Sequence, residues 1–157
     1  MAVEAWIDKI AALMGVSDGR GSQVRSYRAY DKAEFPEAIT VWPCAITYVV
    51  GYRPEYASGG VVKGHYRGRT EFHLFPNVAK SNIPALMLYF RRIRNAMSGA
   101  YQLGALVNDF RLADGEPWPI KGPVTLQYGS EDPHYGITVE WQIKAEESAD
   151  EGYTFAI

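Results

Sequence analysis

Apolar residues recur at helical spacing in two stretches of the chain. Val3, Ile7, Ile10 and Met14 fall at i, i+4, i+7 and i+11, and Trp6 and Leu13 widen the stripe, which predicts a helix over residues 2–14 stopped by Gly15. Leu86, Phe90, Ile93 and Met97 repeat the spacing, with Ser81 or Asn82 as cap, Pro84 in the first turn and Gly99 at the end. Arg91, Arg92 and Arg94 project from the flanks of this second helix near its C-terminal end, where the helix dipole favours cations.

Elsewhere the period is two. Residues 24–30 alternate as an edge strand, and 45–52 as a clear one with Ile46, Tyr48 and Val50 on one face. Opposite lie 61–66 and 69–75, one long strand interrupted near Gly68, joined through a hairpin tip at 53–60 that carries Pro54 and Gly59-Gly60. Further strands are expected at 105–112, 124–129 and 135–145. The last places Ile137, Val139, Trp141 and Ile143 on one face, and Thr138, Glu140, Gln142 and Lys144 on the other. The pattern predicts an α+β fold: a mainly antiparallel sheet of five to six strands with two helices on one face. It predicts one domain over 1–145 and an acidic tail over 146–157 that ends in an apolar hook from Tyr153 to Ile157.

Composition adds bounds. At 157 residues, 47% hydrophobic and 22% charged, the chain suits one soluble globular domain. Eleven Tyr and four Trp suit half-buried sheet faces and protein interfaces. The lone Cys44, beside Pro43 in an apolar stretch, reads as a small buried hydrophobe and leaves no internal disulfide. No apolar run reaches the 18 or so residues of a membrane span. Glu4 and Asp8 stand where a secretory leader is basic, so the chain is expected to be made and folded in the cytosol.

Charge changes the picture most. Residues 53–94 hold eight basic side chains against Glu55 and Glu71, while 95–157 hold ten acids against Arg111, Lys121 and Lys144. The net charge of −2 hides this split, which suits head-to-tail docking between copies. Chemistry is absent by motif. His65, His73 and His134 show no metal-ligand spacing, and eight residues of strand would hold the first two about 26 Å apart. The glycine-rich phrases at 17–22, 58–60 and 66–69 match neither a P-loop nor a dinucleotide fingerprint and read as turns. No GxSxG elbow occurs, and Glu131-Asp132 and Glu146-Glu147 read as solvated pairs. No catalytic residue, metal or cofactor is expected.

The paired strands within 45–75, the helix NIPALMLYFRRIRNAM and the closing phrase PVTLQYGSEDPHYGITVEWQI resemble the tail terminator and head–tail joining proteins of long-tailed phages. The resemblance covers most of the chain in element order. It implies a structural virion protein, not an enzyme, that forms a ring of six copies on the end of the tail tube. Such a ring stops tube polymerisation, joins the tail to the head connector and lets DNA pass without sequence-specific binding. The partners implied are further copies, the tail-tube protein and the connector, with no membrane. Residues 53–60 and the segment after Ala145 have no counterpart in the family pattern.

The subunit interface expected from the charge split comprises Arg53, Arg67, Arg69, Arg91, Arg92 and Arg94 against Glu131, Asp132, Glu146 and Glu147, with Tyr153 and Phe155 as apolar anchors. Two alternatives stand beside the ring. One is another neck or head completion protein. The other is a cytosolic small-molecule or peptide-binding α+β domain, which a cavity lined by Tyr48, Tyr128 and Trp141 would favour.

Overall fold

The structure, a computed structural model, describes residues 3–28, 39–78, 80–128 and 132–148. Helix α1 spans Val3–Leu13 and helix α2 Ile83–Ser98. The strands are β1 (Arg25–Arg28), β2 (Cys44–Tyr56), β3 (Val61–His73), β4 (Asp109–Leu112), β5 (Ile120–Leu126) and β6 (His134–Ser148). They form one six-stranded sheet ordered β1-β2-β3-β6-β4, with β5 also paired to β6. Every pairing is antiparallel except the parallel β1–β2 edge. The fold is α+β, as the periodicities predict.

Both helices cover one face of the sheet. Trp6, Ile7, Ile10 and Met14 of α1 and Leu86, Tyr89, Ile93 and Met97 of α2 join Phe72, Ile137, Val139, Trp141 and Ile143 in the main core. The expected stripe on α2 is rotated slightly, since Tyr89 is buried and Phe90 only partly so. Asn82 precedes α2 without a side-chain cap. It is itself helical and closes a short 3-10 turn, while its amide donates to Asn77 at 3.0 Å. Gly99 ends the helix as expected, its N–H returning to the Asn95 carbonyl.

A smaller apolar cluster lies on the opposite face, where Tyr27, Ile39, Cys44 and Ile46 are joined by Trp42, Tyr48 and Tyr128. Cys44 is fully buried there.

Several strand boundaries move. β3 is continuous through Gly68. The irregularity lies instead in β2, where the register shifts between Val49 and Gly51 and leaves Val50 as the extra residue. Gly68 is required by packing, since a Cβ there would collide with the Trp141 indole across the β3–β6 pair. Residues 53–56, expected in the hairpin tip, are ladder residues of β2, and Pro54 pairs opposite Gly64. The tip proper is 57–60. The strand expected from 105 starts at Asp109 after a run of turns, in which Leu103 and Ala105 take positive φ. β5 begins earlier, at Ile120. β6 passes the expected domain boundary at Ala145 and ends at Ser148. Residues 29–30 of the expected first strand, Gly129 of the fifth and 130–131 of the last turn lie outside the described residues.

Candidate functional site

The fold folds the charge split back on itself. Basic β3 lies directly against acidic β6, so Lys63 stands opposite Glu146 and Arg69 opposite Glu140. The Arg69 Nε donates to Glu140 Oε1 at 2.8 Å, which raises the Arg69 pKa further. This arginine, expected at a subunit interface, is engaged within its own chain.

Glu147 departs furthest from expectation. It lies in β6 on the helix-covered face, is 7% exposed, and accepts hydrogen bonds from Tyr66 at 2.5 Å and Tyr52 at 3.2 Å. The expected solvated pair is therefore split by strand alternation. Glu146 points outward to solvent, while Glu147 points inward. Asp132 is exposed, and its carbonyl accepts a hydrogen bond from His134 Nδ1 at 3.1 Å. Glu131, Tyr153 and Phe155 lie outside the described residues.

Three surface features remain. The first is the outer edge of β2. β1 pairs with β2 only from Cys44 to Thr47, so beyond that point the edge has no strand partner among the described residues. Along it Val50, Tyr52 and Tyr56 are 49%, 51% and 79% exposed.

The second is a cleft of about 610 Å³ on the face away from the helices. Strand register builds it in two cross-strand rows: Arg53, His65, Lys144 and Asp109, then Gly51, Arg67, Gln142 and Arg111. The turn after β4 forms its wall. The Asp114 N–H donates to Gln142 Oε1 at 2.8 Å, Gln142 Nε2 donates to Asp114 Oδ2 at 3.1 Å, and Arg67 donates to the Asp114 carbonyl. Asp109 and Asp114 both pair with Arg111, at 2.9 and 3.5 Å. Arg53 and Lys144 have no ion pair among the described residues, so the cleft is net cationic. His65 bonds Glu55 at 2.9 Å at its margin, which lowers the Glu55 pKa.

The third is a groove of about 320 Å³ between α2 and the β4–β5 connection. It is floored by Phe90, Leu112, Pro119 and Ile120, flanked by the 72%-exposed Trp118, and rimmed by Arg91 and Arg94. Arg92 points elsewhere, its guanidinium lying against Gly19 of the 17–22 turn. That turn is held by the Asp18 carboxylate, which accepts from the N–H groups of Arg20 and Ser22.

A buried polar pair also forms that no spacing in the sequence announces. His73 Nδ1 and His134 Nε2 lie 2.6 Å apart, both side chains fully buried. Because the Asp132 carbonyl can only accept, His134 carries its proton on Nδ1, and His73 Nδ1–H donates to the bare His134 Nε2. His73 Nε2 is then a buried lone pair without a donor, 3.8 Å from Glu71 Oε2. Burial, then the neighbouring His134, pushes the His73 pKa down to about 4. Burial pushes the Glu71 pKa up. Among the described residues no three His, Cys, Asp or Glu side chains are grouped to hold a metal ion, and no helix is long and apolar enough to cross a membrane. Tyr48 and Trp141 lie on opposite faces of the sheet, so Tyr48, Tyr128 and Trp141 line no common cavity.

No protein-family model matches the chain, and no curated protein matches it.

Proposed function

We propose that the protein is a structural ring subunit, a tail terminator of a long-tailed phage that caps the tail tube and meets the head connector. The unpaired outer edge of β2 carries this reading. The β2–β3 hairpin, with Val50, Tyr52 and Tyr56 exposed along an open strand edge, suits main-chain pairing with a neighbouring copy. The Val50 bulge, Pro54 and the charges of Arg53 and Glu55 interrupt that edge, which restrains indiscriminate strand addition. A hairpin on one side of a subunit meeting a different surface of the next gives a heterologous contact, which closes into a ring when the rotation between neighbours closes. Burial of Tyr side chains supplies affinity, while exposed charges set orientation and rate.

Sedimentation or mass photometry across a salt series, with and without tail-tube protein, tests the reading. Hexamers, alone or only on tubes, are the expected result. A monomer indifferent to tubes rejects it.

The cationic cleft favours a second reading, a binding domain for a small anionic ligand. Its volume suits such a ligand, and Arg53 and Lys144 are available to pair with one. Titration with inorganic phosphate and with short acidic peptides, followed by the Lys144 and Arg53 side-chain resonances, separates the two readings. Saturable binding lost in Arg53→Glu supports the binder.

A further inference from the structure

We infer that the groove between α2 and the β4–β5 connection is the seat for residues 149–157 of a second copy of this chain. The inference rests on the ring reading and names one of its contacts. The groove combines an apolar floor, an exposed Trp and two arginines, the residue types that dominate interface energetics. Neither Arg91 nor Arg94 has an ion pair among the described residues; Arg94 bonds only the Asn95 side chain and, through its carbonyl, Ser98. The segment 149–157, ADEGYTFAI, offers the complement in matching order, with Asp150 and Glu151 for the arginines, then Tyr153, Phe155 and Ile157 for the floor.

Reach decides between the same copy and another. Leu112 of the groove stands opposite Trp141, whereas β6 ends at Ser148. Seven residues of strand separate those levels, about 23 Å. β6 runs away from the groove as far as Ser148, so a segment of the same copy would have to double back over that distance. Asp150 and Glu151 follow Ser148 by two and three residues, at most about 7 and 11 Å of extended chain, so within one copy they fall short of the groove. Head-to-tail contact between copies removes this constraint and leaves each subunit with one seat and one segment, the heterologous arrangement that closes a ring.

The test uses the full chain in two variants, Arg91→Glu/Arg94→Glu and Asp150→Lys/Glu151→Lys. Each alone is expected to lose self-association by at least about tenfold, because like charges then meet at the seat. An equimolar mixture is expected to recover it, since the acidic segment of the first variant fits the unaltered seat of the second, and the lysines of the second fit the glutamates of the first. A synthetic peptide of residues 148–157, added to the wild-type chain, is expected to shift Trp118 fluorescence.

If the wild type assembles and both variants assemble equally well, the seat is wrong and the ring reading stands. If the wild type associates into open-ended oligomers that ignore tubes, and each variant loses them with recovery on mixing, the ring fails and the seat stands. If the chain neither assembles nor binds the peptide, both fall. Loss in each variant without recovery on mixing overturns the trans arrangement.

Discussion

The hydroxyl of Tyr66 donates to the carboxylate of Glu147 across 2.5 Å, joining the middle of β3 to the last turn of the ladder in β6, beneath α1. Trp6 stacks edge-on against the Tyr66 ring at 4.9 Å, so the same tyrosine closes the core and satisfies a buried acid. Tyr52, 4.7 Å from Tyr66 by ring centroid, donates to the other carboxylate oxygen. The middle of the β2–β3 hairpin is thereby tied to the end of β6.

Removing one of these donors should cost more than an average hydrogen bond, because the acid stays buried. Tyr66→Phe is expected to destabilise the fold by about 1–3 kcal/mol. Tyr52→Phe, at a more exposed position, should cost less. Urea unfolding of both variants checks the ranking, and equal effects would contradict it.

Gly68 lies against the Trp141 indole, and a Cβ there would collide with the ring. Gly68→Ala forces the Trp141 indole out of its place between β3 and α1, and overpacking of that kind costs about 1–3 kcal/mol. The Trp141 Nε1–H···Oγ1 bond to Thr70, 3.2 Å long, would be strained with it. Thermal melting and near-UV circular dichroism read both effects together. An unchanged midpoint would show that the indole relocates freely.

The His73 site makes stability depend on pH. Its folded pKa of about 4 lies below the ordinary 6.5, so the unfolded chain binds more protons between those values. The stabilisation is complete above about pH 6.5 and is lost as pH falls towards 4, amounting to about 3 kcal/mol at most. Glu71, its pKa raised by burial, acts with the opposite sign, since protonating it on acidification relieves a buried charge. Among the described residues His134, Tyr128 and Cys44, which stands opposite in β2, are the other titratable groups against His73. The difference between wild type and His73→Gln isolates the histidine. That difference should shrink from pH 7 to pH 4.5, and a constant one would assign the acid sensitivity elsewhere.

The open edge of β2 gives a prediction about assembly without folding. Val50→Lys with Tyr56→Lys alters exposed positions only, so the melting temperature should move by less than about 3 °C. Under the ring proposal the double variant should remain monomeric at concentrations where the wild type assembles. Wild-type-like assembly of this variant would remove the hairpin edge from the contact.

Much of the fold was legible because the signals are local. The stripe through Ile7, Ile10 and Met14 and the alternation of Ile137, Val139, Trp141 and Ile143 each announce one buried face, and the structure buries them. The helix arginines were legible as a group. Their division was not, because only packing turns Arg92 onto Gly19 and leaves Arg91 and Arg94 beside Trp118. Arg53 looked like a loop residue because Pro54 and Gly59-Gly60 follow it. Pairing with His65 makes it a strand residue and a wall of the cleft.

The sequence by itself determined the class of fold, the helix ends at Gly15 and Gly99, and the face each amphipathic element turns inward. Periodicity is a property of neighbouring residues and needs no partner. Tertiary structure alone decided which strands meet and in what register. That register set His73 beside His134, 61 positions apart in the chain, buried Glu147 while leaving Glu146 outside, and laid basic β3 on acidic β6. Each outcome depends on contacts between residues far apart in sequence, whose alignment is fixed only when the whole sheet closes over one core.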